Sequence, residues 1–141
     1  MRFLVVEDDF GSRRLLQALL KAYGTVDVVV DGEEAVEAFR LAWEENDPYQ
    51  ALFLDIMMPN VDGHEALRRI REMESSIGVD ERDQVRVVMT TALEDPKNVV
   101  EAYYRGGATS YLVKPIDRES LRAEMEKLGF SPVEQRRNTP S

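Results

Sequence analysis

Five times along its 141 residues the chain passes from a short apolar, β-branched run into a stretch with apolar residues at helical spacing. Phe3–Val6 leads to Leu15, Leu16, Leu19, Leu20 and Tyr23, stopped by Gly24. Val26–Val30 turns at Asp31-Gly32 into Ala35, Val36, Phe39, Ala42 and Trp43, and Asp47-Pro48 ends that unit. Ala51–Leu54, with Asp55 at its carboxyl end, leads through Met57-Met58-Pro59-Asn60 to a helix opened by Asp62-Gly63 and carrying Ala66, Leu67, Ile70 and Met73. A polar stretch, Glu74–Gln84, reads as an exposed loop. Val85–Met89 and Thr90-Thr91-Ala92-Leu93 precede a helical pattern of Val99, Ala102 and Tyr103 that ends at Gly106-Gly107. Ser110–Val113, closed by Lys114-Pro115, precedes a last helix that Asp117 can cap, with Leu121, Met125 and Leu128 inward and Gly129 at its end. Continuous apolar strands alternating with amphipathic helices demand a parallel sheet covered on both faces. Right-handed crossovers make that sheet doubly wound. The expectation is an α/β domain over residues 1–128, followed by a short, flexible, polar tail over residues 129–141.

Composition narrows the chemistry. The chain has no cysteine, which removes disulfides, thiolate metal sites and a cysteine nucleophile. Its 18 Lys and Arg against 27 Asp and Glu give a net charge of −9, which repels phosphate backbones and argues against nucleic-acid binding. The opening apolar run, Met1–Val6, meets Glu7, Asp8 and Asp9 too soon for a signal peptide or a membrane span. A soluble, cytoplasmic protein without membrane contact is expected.

Doubly wound sheets bind ligands at the carboxyl ends of their strands. Those ends hold Glu7, Asp8 and Asp9 after the first strand, Asp55 after the third, Thr90 and Thr91 after the fourth, and Lys114 after the fifth. The second offers only Asp31-Gly32, which is turn chemistry. Crowded carboxylates repel one another unless a hard divalent cation such as Mg²⁺ takes their oxygens. A metal, a lysine and a hydroxyl together can hold a phosphoryl group, and a carboxylate facing its phosphorus can attack. Each residue alone has an ordinary explanation. Asp9 reads better as a helix N-cap than as a ligand. A single strand-end Asp is usually a turn residue, and a lone lysine is usually solvated. The assignment rests on four strand ends delivering complementary groups.

The segments Leu4–Asp9, Leu54–Gly63, Val88–Ala92 and Gly107–Pro115 resemble the receiver domain of bacterial two-component response regulators, over roughly Arg2 to Leu128. The resemblance implies a flavodoxin-like (βα)5 fold with a five-stranded parallel sheet in the order 2-1-3-4-5. It implies that Asp55 is the phosphoacceptor and a metal ligand, and that Asp8 is a direct ligand. Glu7 would act through water, and the Met57 backbone carbonyl would be a further ligand. The metal would be Mg²⁺, with Mn²⁺ as an alternative. Thr91, followed by Ala92, maps onto the hydroxyl that contacts the phosphoryl group, and Lys114 onto its lysine, with a cis bond to Pro115. Tyr111 maps onto the aromatic switch residue. The implied partners are a sensor histidine kinase and a downstream protein, met on the face of the fourth predicted helix, the fifth strand and the last helix. The molecule would be a monomer, or a dimer promoted by phosphorylation. It would be no enzyme beyond catalysing its own phosphorylation and dephosphorylation.

Two positions that influence loss of the phosphoryl group in such domains are Met57 and Leu93 here, both apolar, so slow self-dephosphorylation is expected. His64 reads as a surface residue, and Arg136-Arg137 is too short a basic run for nucleic acid. The short stretch after Leu128 leaves no room for an output module, so the sequence suggests a stand-alone domain acting through protein contacts. A relay shuttle serving a histidine phosphotransferase is the alternative. A phosphohydrolase would need an acid where Met57 stands, and a flavin site would find its phosphate repelled by Glu7-Asp8-Asp9.

Overall fold

The computed structural model describes residues 1–56, 63–92 and 107–133. Five parallel strands form one sheet in the order β2-β1-β3-β4-β5: β1 (Arg2–Val6), β2 (Thr25–Val29), β3 (Ala51–Asp55), β4 (Arg86–Thr91) and β5 (Ser110–Val113). This is the doubly wound, flavodoxin-like order that the motifs imply. Four described helices accompany it: α1 (Phe10–Leu20), α2 (Gly32–Glu44), α3 (Gly63–Ile77) and the C-terminal helix α4 (Arg118–Lys127). The helical pattern of Val99, Ala102 and Tyr103, the Met57 loop and residues 134–141 lie outside the described residues.

Successive side chains of a strand point to opposite faces, so each central strand feeds two cores. Leu4, Val6, Leu52, Leu54, Val87 and Met89 pack with Ala35, Phe39, Ala66, Leu67 and Ile70 of α2 and α3. Phe3, Val5, Phe53 and Val88 pack on the other side with Leu16, Leu20, Leu121 and Met125 of α1 and α4. A fully buried side chain of this kind contributes about 1.5–3 kcal/mol. The central strands β1, β3 and β4 are buried almost throughout, whereas β2 and β5, at the edges, leave residues such as Val28 and Val113 exposed.

Asp9 and Asp117 cap their helices as expected, and Asp31, expected only to make a turn, caps α2 as well. Asp9, Asp31 and Asp117 each accept a hydrogen bond from the backbone three residues on, at 2.8, 2.8 and 2.7 Å.

Four local expectations change. Leu15 is 42% exposed, because Leu16 and Leu20 take the inward positions of α1. Thr90 and Thr91 lie inside β4 rather than after it, as their branched side chains allow. The stretch from Glu74 is not all loop: α3 runs on to Ile77, and Glu74, one turn after Ile70, is buried with its charge met inside the protein. Only Glu81–Asp83 forms a further short 3₁₀ turn. The packed chain also passes Leu128, where the tail was expected to begin. Phe130 is buried edge-on against Phe3, with centroids 5.5 Å apart, and Val133 N–H donates to the Ala22 carbonyl at 2.8 Å. Among the described residues no helix is long and apolar enough to cross a membrane.

Candidate functional site

The sheet itself carries the site residues to one edge. Glu7 extends β1 by one residue: its N–H donates to Val29 O of β2 at 3.1 Å. That contact holds Glu7 at the end of a central strand, and its side chain is fully buried. Asp8 follows at the exposed rim. Asp55 is the last residue of β3, in register with Thr90, and is buried. The carboxylates of Glu7, Asp8 and Asp55 each offer an oxygen within 4.8 Å of the others.

Lys114 enters from the far edge. Its N–H donates to Thr91 O at 2.6 Å just past β5, and its Nζ forms a close ion pair with Glu7 and lies 3.5 Å from Asp55 Oδ2. The bond to Pro115 is cis, as the resemblance implies. Burial works against the ammonium, but hydrogen bonding to Glu7 and attraction to Asp55 outweigh it, and the Lys114 pKa is raised. Burial, reinforced by the neighbouring Asp55, pushes Glu7 up to about 7 against the pull of Lys114. Like charges held together resist ionising together.

This electrostatic strain indicates what the centre suits. With all three ionised, the carboxylates against one ammonium leave two negative charges uncompensated, which is why burial beside Asp55 holds Glu7 back from ionising. Glu7 Oε2 is buried without a hydrogen-bond partner among the described residues. It can share a hydrogen bond with Asp55 only if one of the two is protonated. Hard oxygen donors with a surplus of two negative charges fit Mg²⁺.

The remaining expected residues fall as follows. Thr91 ends β4 and is buried, as is Thr90. Tyr111 lies on edge strand β5 and is 39% exposed. Met57 lies outside the described residues. Asp9 stands apart as the α1 cap, with its pKa lowered by the Ser12 backbone N–H it accepts. His64 is exposed.

Sequence reasoning missed two neighbours on α1. The Arg13 guanidinium donates to the Glu7 carbonyl at 3.2 Å, fixing the turn that carries the acidic pair. Phe10, two residues after Asp8, is 62% exposed, with Arg13 and Arg14 each over its ring at 5.6 Å. The available signal was a large aromatic at the first position of an otherwise amphipathic helix.

With this geometry in view, similarities to known proteins fall into place. A family model described as the response regulator receiver domain matches residues 3–126. The chain is 33% identical over 127 residues to the two-component response regulator ORR41 of Oryza sativa subsp. japonica, covering 90% of this chain and 93% of that protein. It is 30% identical over 129 residues to hybrid signal transduction histidine kinase L of Dictyostelium discoideum, covering 91% of this chain but only 7% of the kinase. Among solved structures it resembles the receiver domain of the sensor histidine kinase PA1611 from Pseudomonas aeruginosa PAO1. The TM-score is 0.70 at 27% identity, over 90% of this chain and 95% of that one. That structure holds a magnesium ion in its active-site cleft.

Proposed function

The chain belongs to the response regulator receiver domain family, and from that premise we propose that Asp55 accepts a phosphoryl group from a histidine kinase and that the modified protein signals through protein contacts. The observation that carries this reading is the meeting of Glu7, Asp8 and Asp55, at the ends of two central strands, with Lys114, at the end of edge strand β5.

In the proposed step an Asp55 carboxylate oxygen attacks the phosphorus of a phosphohistidine in line. The new O–P bond forms as the P–N bond breaks, and the departing imidazole takes up a proton. Asp8 and Asp55 would hold Mg²⁺ directly and Glu7 through water, with Mn²⁺ as a substitute. When bound, the metal offsets negative charge on the phosphoryl oxygens. Lys114 supplies a second positive charge and orients one of those oxygens. Its 3.5 Å separation from Asp55 supports that role. Thr91 donates its hydroxyl to another phosphoryl oxygen. That movement leaves room for Tyr111, which turns inward and reshapes the surface around β5 and α4 that a downstream protein reads. The partly exposed Tyr111 side chain supports a residue free to make this change. On this reading the domain catalyses only its own phosphorylation and dephosphorylation, in the cytoplasm.

The test is uptake of phosphate from acetyl phosphate in the presence of Mg²⁺, compared between wild type and Asp55→Ala. Wild type should be modified and the variant should not; equal responses would refute the assignment. Rapid return of the group to a histidine phosphotransferase, without phosphorylation-dependent partner binding, would mark a relay shuttle instead.

A further inference from the structure

At the opposite end of the sheet from the acidic centre, one turn of α3 grips the starts of both β4 and β5. Glu74 is fully buried. Its Oε1 accepts from Arg71 Nη1 at 2.6 Å, and its Oε2 accepts from the N–H of Val85, the residue before β4, at 2.7 Å. Arg71 also donates from Nε and Nη2 to the Gly107 carbonyl, at 3.1 and 2.6 Å. Gly107 has a φ of +103°, and a Cβ there would stand 2.9 Å from Arg71 Nε. Both the backbone conformation and the close approach therefore require glycine. Just beyond, Thr109 N–H donates to Val87 O at 2.8 Å, and Val87 N–H donates to Thr109 Oγ1 at 3.0 Å.

Buried ion pairs are a poor source of stability, because desolvation offsets their attraction. The placement of this pair suggests another use. β5 has four residues and, among the described residues, pairs with β4 alone, so beyond that ladder and the Thr109–Val87 pair the fork of Arg71 is a further hold on its position along β4. Lys114 follows β5 directly, and its Nζ must meet both Glu7 and Asp55. Any slip of β5 along β4 would move the ammonium with it. The Arg71 fork on Gly107 fixes the near end of that strand, and Glu74 orients the fork while holding the start of β4.

We propose that Arg71, held by Glu74, is a positioning residue for Lys114, setting the register of β5 so that the ammonium lies over the Asp55 carboxylate. This rests on the reading of Asp55 as the phosphoacceptor. Glu7, Asp8 and Asp55 belong to β1 and β3 and their ends, so loss of the fork leaves the metal ligands in place. Arg71→Met keeps the apolar stem and removes the donors. Arg71→Lys keeps the charge but lacks the planar two-donor fork.

The experiment measures, on the full chain, the rate of phosphorylation by acetyl phosphate and the Mg²⁺ dissociation constant. Arg71→Met should be phosphorylated about tenfold more slowly, since small misplacements of a catalytic group cost one to two orders of magnitude. Its Mg²⁺ affinity should match wild type, and Arg71→Lys should recover only part of the rate. An unchanged rate in a folded Arg71→Met protein, or a slowing matched by an equal loss of Mg²⁺ affinity, overturns the positioning role alone. If Arg71→Met does not fold, Glu74→Gln is read in the same way, with a severalfold slowing expected and an unchanged rate overturning the proposal. A wild type that takes up no phosphoryl group overturns the reading of Asp55, and the positioning role with it.

Discussion

Asp9 and Asp55 both stand at the carboxyl ends of apolar runs, and only their surroundings separate them. Asp9 turns its carboxylate onto the Ser12 N–H and serves α1, whereas Asp55 is buried beside Glu7 and under Lys114. Asp117 behaves like Asp9: the backbone N–H of Ser120 holds its pKa below the ordinary 3.8. A carboxylate whose folded pKa is depressed stabilises above its unfolded value, and that stabilisation is lost as pH falls through the folded one. Asp117→Ala should therefore lower the denaturation midpoint at neutral pH. Asp117→Asn should not, because an amide oxygen caps equally well. Relative to wild type, the Asn variant should gain stability as pH falls below 3.8, which a pH series of urea denaturations would detect. The capping roles were legible in the sequence from spacing alone. The Arg13 contact to the Glu7 carbonyl was not, because nothing in a local pattern tells where a long side chain on the next helix will reach.

At the scale of elements, the strands were legible wherever both faces are covered. Phe3–Val6 and Ala51–Leu54 are unbroken apolar runs because two cores need them. Glu74 defeated the same logic. A charged residue at an inward helix position reads as the start of a loop, and only Arg71 and the Val85 N–H make its burial tolerable. Phe130 was hidden for a related reason, since its partner, Phe3, is far away in sequence and near only once the sheet has formed. Truncating Phe130 to Ala should cost about 3 kcal/mol, the usual range for a buried phenylalanine. Urea denaturation of the variant would measure it. A cost below about 0.5 kcal/mol, the level of ordinary surface substitutions, would show that residues 129–133 add nothing to the core.

For the whole molecule, the sheet order and the convergence of site residues followed from strand succession plus a recognisable set of motifs. What the motifs could not provide was the charge balance at the centre, which depends on how far Lys114 reaches and on how deeply Glu7 is buried. That balance predicts coupling between Mg²⁺ and folding. At a Mg²⁺ concentration a hundredfold above its dissociation constant, the folded state should gain about 2.7 kcal/mol, a rise of several degrees in melting temperature. Asp8→Ala should lose most of that gain while still folding, because Asp8 lies at the exposed rim. Calcium would be a fair comparison in the same melting experiment, since its larger size suits a different coordination shell. The central claim, that Asp55 carries the phosphoryl group, is tested most directly by locating the modification. After treatment with acetyl phosphate and Mg²⁺, reductive trapping of the acyl phosphate and peptide mass mapping should place a single adduct on Asp55. An adduct on any other residue, or one that persists in Asp55→Ala, would contradict the account.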